Sequence, residues 1–382
     1  MNILQVVPFF TPNRGGSVTI PYQLAKGLSK KGHNVTIITT DFEFDKNYAA
    51  SLETIGVKIV PVKCVANLGL FLYSPAIKVW LETNLKNFEV VHMHNFRAYQ
   101  NNVIHEYAVK FRIPYLVQPH GSLPKNNEKN LMKELYDFFW GRKIINDASK
   151  VIAVSDLEVK QFLEFGIDPS KIMTIPNGLE IERFSNSSPA GTFREKNGIK
   201  EKHLVLYLGR LHKGKGIEFL MNAFSDLIKD RQDVALAIVG PDYGFKNALK
   251  TLARTLGIEK NVYFIEFLSN VAQAYRDADL TVYPAHYEIS GLVAIESLFC
   301  ETPVIITEGC GLKELINELK CGYVVKYGDI KALKEDISYI LDNPLESKMA
   351  AIRGKNYILS NLTSDKILTN FEKVYEDCIC ST

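Results

Sequence analysis

Apolar positions along this chain fall into two alternating patterns. Short runs rich in Val and Ile are separated by longer stretches in which apolar residues recur every three or four positions. Residues 2–8 form the first short run, followed by the Gly-bearing loop PFFTPNRGGS. Ile20, Leu24 and Leu28 then recur at helical spacing up to a stop at Gly32. Further strand-like runs lie at 35–40, 57–61, 90–94, 115–118 and 151–154, with helical material ahead of 90–94. Strands alternating with helices predict a parallel sheet covered on both faces.

The pattern restarts after Asn177–Gly178, past a stretch at 184–191 rich in Ser, Asn, Pro and Gly that reads as a linker. Strands are predicted at 204–208, 234–239, 262–265, 280–283, 304–307 and 322–325, and helices at 217–228, 246–256, 271–278 and 291–299. The tail from Lys331 to Cys380 is mostly helical, broken at Pro344 and over 361–364, and Ile367, Phe371, Val374 and Tyr375 line one side of its last helix. The expected organisation is α/β, with two domains at 1–183 and 184–360 and a separate helix over 361–382. In open parallel sheets ligands bind beyond the carboxyl ends of the strands, so the polar residues of interest belong on the loops after them.

A length of 382 residues suits two such cores. A net charge of +2 gives no electrostatic footprint of a nucleic-acid binder, and no nucleic-acid partner is expected. The N-terminal run MNILQVVPFFTP lacks a basic segment and a cleavage pattern, and the apolar stretch around 68–73 is too short for a membrane span. The six cysteines are scattered, which predicts buried free thiols in a cytoplasmic protein instead of a disulfide scaffold or zinc site.

Several constellations carry candidate chemistry. In YPAHYEISGLVAIESLF, Glu288 sits in the loop after the 280–283 strand, Gly291 and Leu292 open a helix, and Glu296 lies within it. A helix start offers free amides and a positive dipole end, a seat for phosphate. Glu288 can then reach a sugar on that phosphate, and Glu296 a ribose diol; spacing alone is equally compatible with two solvated glutamates. In LYLGRLHKGKG, Arg210, His212, Lys213 and Lys215 follow a strand, and an Arg fork beside a Lys point charge suits a diphosphate, against the plainer reading of a basic surface turn. Gly15 and Gly16 after the first strand suit close ligand approach or a simple turn, without dinucleotide-fingerprint spacing. His120 and Gly121 end the 115–118 strand, where the histidine could meet a substrate or be structural. His92 and His94 read as structural or cleft-edge residues, not metal ligands.

Together these residues resemble the retaining glycosyltransferases of the GT-B fold, the group that includes glycogen and sucrose synthases and bacterial mannosyl- and glucosyltransferases, and within it the lipopolysaccharide- and glycolipid-type branch. The resemblance spans nearly the whole chain: GGSVTIPYQLAKGLSKKGHNVTIIT, VIAVSDLEVKQFLEFGIDPSKIMTIPNGLE, GRLHKGKG and the Glu288–Glu296 motif occur in the family's order. Ser290 stands where the family has Phe, and Glu301 and Glu266 stand where it has Gly.

The resemblance implies two facing Rossmann-like domains with a cleft between them, the first binding acceptor and the second the nucleotide sugar. It implies Arg210 and Lys215 on the donor diphosphate, joined by the Gly291 and Leu292 amides, with Gly15 and Gly16 beside it. Glu296 would bind the ribose, Glu288 the donor sugar, and His120 the sugar near its reacting carbon. No metal or other cofactor is implied. The expected reaction moves a hexose from a UDP or GDP sugar to a saccharide or lipid-linked saccharide, with retention; the alternatives are an epimerase or phosphorylase of the same shape, or a non-catalytic sugar-nucleotide binder. The segment 125–146 sets Lys129, Lys133, Arg142 and Lys143 beside Leu131, Leu135, Phe138, Phe139 and Trp140, which suits either a core-packing helix or contact with an anionic, cytoplasmic membrane face. The last helix is expected to pack back on the first domain.

Overall fold

A computed structural model describes residues 1–68, 71–123, 130–185, 189–266, 268 and 270–381. Parts of three stretches singled out above, 69–70, 125–129 and 186–188, lie outside the described residues. The chain divides into unit 1, Met1–Asn177 with Ser364–Thr382, and unit 2, Gly178–Thr363. The first division falls between Asn177 and Gly178 instead of at 183/184. Leu179 N donates to Leu362 O at 2.8 Å, and the Phe184 ring packs edge-on against Phe299, so 178–184 belong to unit 2.

In unit 1 the strands are β1 (Asn2–Val6), β2 (Asn34–Thr40), β3 (Lys58–Val62), β4 (Ala66–Leu68), β5 (Phe71–Tyr73), β6 (Val90–His94), β7 (Tyr115–Gln118), β8 (Lys150–Ala153) and β9 (Ile172–Thr174). β4 and β5 form a separate antiparallel hairpin; the others form one parallel sheet in the order β3-β2-β1-β6-β7-β8-β9. The Gly16–Lys30 helix buries Val18, Ile20, Leu24 and Leu28, an i, i+4 stripe of the expected kind. Its Gly27 leaves no room for a β-carbon because Leu368 of the Ser364–Cys380 helix fills that space. Ile367, Phe371, Val374 and Tyr375 of that last helix are buried, and Glu372 pairs with Lys31 and with His33.

The segment Asn130–Tyr136, Asp137–Gly141 and Arg142–Asp147 has one apolar side in the core and another facing outward. Tyr136, Ile144 and Ile145 enter the core of unit 1, while Leu131, Met132, Leu135, Phe138, Phe139 and Trp140 face outward, Phe138 with 76% of its surface exposed.

Unit 2 contributes β10 (His203–Leu208), β11 (Val234–Val239), β12 (Val262–Ile265), β13 (Leu280–Tyr283), β14 (Val304–Thr307) and β15 (Tyr323–Val325), all parallel in the order β12-β11-β10-β13-β14-β15. β11 is buried along its whole length, as a strand covered on both faces must be. The strand order reverses between β10 and β13, so the loops after these two strands flank the crevice where ligands of open α/β sheets bind.

Candidate active site

The loops after β10 and β13 are pressed together. Gly216 holds φ +70° and caps the Ile217–Asp230 helix; a β-carbon there would collide with the Pro284 carbonyl. His286 N donates to Gly214 O at 3.2 Å. This contact delivers Lys215 to Glu288, Nζ to Oε2, at 2.8 Å, and both side chains are largely buried. Tyr283, the last residue of β13, donates its phenol to the same oxygen at 2.6 Å and lies 3.3 Å from Lys215 Nζ. Ser290 N and Oγ approach Oε1 at 3.3 Å each. The loop after β14 fixes the Glu288 backbone from the other side: Glu288 N donates to Gly309 O at 3.0 Å, and Gly311 N to Glu288 O at 2.8 Å.

Burial pushes the Glu288 carboxyl up, but Lys215, Tyr283 and Ser290 together outweigh it and hold the group below its ordinary value. Burial, reinforced by Glu288, drives the Tyr283 phenol well above its ordinary value, so it remains a donor. Gly291 comes next at φ +62°, the N-cap of the Leu292–Phe299 helix, with no side chain capping that end. A β-carbon there would press on Leu312 and Cys310. Glu296, within the helix that Gly291 caps, accepts from Tyr275 OH at 2.8 Å; burial raises its carboxyl against the pull of Tyr275 and Arg183. Arg210 is exposed, its guanidinium 5.2 Å from the centre of the Tyr243 ring. The structure thus joins Lys215 to Glu288, while Arg210 and Glu296 each rest on an aromatic partner of their own.

In unit 1, Gly15 has φ +68° and caps the Gly16–Lys30 helix after the Pro12–Arg14 turn; among the described residues nothing lies within 4 Å of where a β-carbon would stand at either glycine. The pair therefore makes a turn with open space beside it. Arg14 binds Glu43 through two bonds of 2.6 and 2.7 Å and covers the Phe9 ring. His120 comes after β7 with φ +52°, and its Nε2 lies 3.1 Å from His94 Nδ1, the two rings stacked. His94 in turn lies 4.0 Å, ring to ring, from His92, whose Nδ1 meets Tyr375 OH at 2.8 Å. Burial lowers all three imidazoles: His92 to about 3, His120 to about 4, His94 well below its ordinary value. The stack is uncharged at neutral pH. Among the described residues no group of three His, Cys, Asp or Glu side chains is arranged to hold a metal ion. None of the six cysteines is in a disulfide; Cys310, Cys321 and Cys378 are buried as expected, but Cys64 and Cys300 are half-buried and Cys380 is exposed.

Two family models match the chain, glycosyl transferases group 1 over residues 190–357 and Glycosyltransferase Family 4 over residues 14–183. Among curated proteins, the lipopolysaccharide glucosyltransferase WaaG of Escherichia coli is 26% identical over 79% of each chain. The N-acetyl-α-D-glucosaminyl L-malate synthase of Bacillus anthracis is 25% identical over 96% of this chain and 95% of its own. Among solved structures, HepE of Anabaena in complex with UDP matches with TM-score 0.84 at 19% identity, covering 99% of this chain and 100% of that one. The chain belongs to the GT-B-fold glycosyltransferases. Such an enzyme transfers a sugar from a nucleotide-sugar donor to an acceptor, and HepE has also been solved with UDP-glucose.

The sequence of this glycosyltransferase marked Lys215, Glu288 and Glu296 but not the groups that hold them. Tyr283 reads as one more apolar residue of a strand, and Tyr275 is separated from Glu296 along the chain by a whole strand and loop. What they share is a buried tyrosine side chain, whose hydroxyl must find a partner. Glu158 was also missed: a fully buried carboxylate that accepts from Gly121 N at 2.7 Å and Val154 N at 2.9 Å. Ser155, which caps the Asp156–Phe165 helix, and Glu158 three residues on have the spacing of a capping box, which could have drawn attention to it.

Proposed function

We propose that this glycosyltransferase is a retaining hexosyltransferase, moving a hexose from a UDP or GDP sugar to a saccharide or lipid-linked saccharide. The observation that carries this reading is the Lys215–Glu288–Tyr283 cluster next to the uncapped helix start at Gly291, on loops flanking the strand reversal. Cationic groups and helix amides beside one fixed carboxylate suit a diphosphate joined to a polyol. In this reading unit 2 binds the nucleotide sugar. Arg210, Lys215 and the Gly291 and Leu292 amides serve the diphosphate, Glu296 the ribose and Glu288 the sugar hydroxyls. Unit 1 binds the acceptor; it also supplies Gly15 and Gly16 to the diphosphate and His120, uncharged at neutral pH, to the transferred sugar.

The reaction breaks the bond between the anomeric carbon and the diphosphate oxygen and forms one from that carbon to the acceptor hydroxyl on the same face. The acceptor's proton passes to the departing diphosphate, whose charge Arg210, Lys215 and the helix start stabilise. Donor turnover with a saccharide acceptor, in EDTA, followed by NMR of the anomeric proton at the new glycosidic bond, tests this. The product is expected to keep the donor's configuration. An inverted product, or a new nucleotide sugar formed without acceptor, overturns it.

Glu296→Ala is expected to weaken binding of the free nucleoside diphosphate about ten- to a hundredfold, the worth of a charge-assisted hydrogen bond of roughly 1.5–3 kcal/mol. Calorimetry with UDP and GDP checks this; unaltered affinity for both would remove Glu296 from the ribose.

The outward apolar face of 131–140 is proposed to meet an anionic membrane at the cytoplasmic side, without spanning it. Lys133, Arg142 and Lys143 flank six exposed apolar side chains, the charge and apolarity an interfacial segment combines. Among the described residues no helix is long and apolar enough to cross a membrane. Flotation with anionic liposomes at low salt is expected to carry the protein upward, and Phe138→Ser with Trp140→Ser to prevent it. A parent protein that stays at the bottom ends the proposal.

A further inference from the structure

Glu158 presents a problem that stability does not solve. Burial raises its carboxyl to about 7 despite the bonds from Val154 and Gly121, so ionising it in place costs more than those amides return. At this position of a helix, a glutamate commonly turns back on the N-cap amide. Here Oε2 reaches one residue further, to Val154 N, and Oε1 crosses to Gly121 N, in the turn after the neighbouring strand.

That turn is unusual in its backbone. His120 at φ +52° and Gly121 at φ +77° are consecutive left-handed residues, and the first carries a β-carbon that disfavours this region. Such a conformation persists only where its surroundings enforce it. The direction of the His120 side chain is set by that backbone, and the ring is then held against His94.

We propose that Glu158 is a positioning residue for His120: its two oxygens tie the turn after β7 to the chain after β8 and so aim the imidazole. The inference rests on the reading that His120 contacts the transferred sugar. Glu158 itself touches no reacting atom. Loss of the carboxylate frees Gly121 N, lets His120 relax from the left-handed region and swings the ring off its His94 contact.

The test uses the full chain and four variants: Glu158→Gln, Glu158→Ala, His120→Ala and the double variant Glu158→Ala with His120→Ala. The first readout is the His120 ring signal in carbon–proton NMR, identified by its loss in His120→Ala. The second is kcat and KM for UDP-glucose or GDP-mannose, whichever is turned over, with nucleoside diphosphate affinity alongside. Glu158→Ala is expected to shift the His120 signal and lower kcat about tenfold or more while nucleoside diphosphate affinity changes less than about twofold. Glu158→Gln, which keeps one acceptor oxygen, should fall between this and the parent. In the His120→Ala background, adding Glu158→Ala should cost less than about twofold further, the non-additivity of two residues acting as one. An unmoved His120 signal in both Glu158 variants, or equal losses of kcat in both backgrounds, overturns the inference while leaving His120's role standing. A His120→Ala enzyme with parental kcat overturns that role and the inference with it. Should Glu158→Ala fail to fold, the Glu158→Gln signal decides.

Discussion

Replacing Glu288 by alanine is expected to lower turnover by about a hundredfold or more while the free nucleoside diphosphate binds as well as before, or better. The direction of the second effect comes from the geometry. Without donor, Lys215 Nζ is engaged by the Glu288 carboxylate at 2.8 Å, with Tyr283 close by. A diphosphate that recruits Lys215 must share it with that carboxylate. Removing the carboxylate releases the ammonium to the phosphate, and like-charge repulsion between Glu288 and the ligand disappears as well. The transferred sugar loses its fixed acceptor at the same time, and this loss matters most when positive charge develops on the sugar ring. Calorimetry with UDP and GDP, paired with kinetics on the full donor, separates the two. Nucleoside diphosphate affinity reduced tenfold with turnover near that of the parent would place Glu288 on the nucleotide instead of the sugar.

Gly216→Ala should be nearly as damaging from a position that carries no chemistry. The left-handed backbone costs an alanine roughly 1–2 kcal/mol. The collision with the Pro284 carbonyl costs more, because a backbone atom cannot rotate away. The loops after β10 and β13 must separate, and Lys215 leaves Glu288. A loss of about 3 kcal/mol in the unfolding of unit 2 is expected, with turnover down about a hundredfold. Gly214→Ala is the control: φ is +95°, but among the described residues nothing lies within 4 Å of its would-be β-carbon. It should lose about 1 kcal/mol and keep turnover within a few-fold. Urea unfolding and donor kinetics on both variants check this, and equal behaviour of the two would show that the loop contact does not position Lys215.

Much of the fold was legible because its central strands are short apolar runs bounded by turn residues. Runs at 90–94, 115–118, 234–239, 280–283 and 304–307 coincide with observed strands, since strands buried on both faces are mostly apolar, and the run at 262–265 coincides with the edge strand β12. The elements that were not legible have local reasons. Ile172–Thr174 and the Ala66–Leu68/Phe71–Tyr73 hairpin are three-residue strands, too short to display a period. The Tyr99–Phe111 helix buries Gln100, Asn101 and His105 on its inner side, which breaks the apolar stripe that marks an amphipathic helix. At the site, sequence spacing put Glu288 and Glu296 on one loop and helix. It could not reveal that Lys215 and Tyr283 converge on the first and Tyr275 on the second, because those contacts depend on how separate elements meet.

The interleaving of the two units has a consequence for how the chain acquires its structure. As the polypeptide emerges from the ribosome, the Gly16–Lys30 helix, with Gly27 left bare for Leu368, cannot be covered until residues 364–380 have been made, after all of unit 2. Domains fold as units during synthesis, the first usually ahead of the second. Here the order of completion is reversed: unit 2 can close while unit 1 still lacks a piece. Unit 2 then assists the later step, because its folding sets Leu179 beside Leu362 and brings Ser364 back to within a few residues of the point where the chain left unit 1. A closure that would otherwise span the whole of unit 2 becomes a short one, lowering its entropic cost by about 3 kcal/mol. A released chain truncated before residue 364 should therefore hold a finished second unit and a first unit recognisable to chaperones by the apolar surface left bare around Gly27.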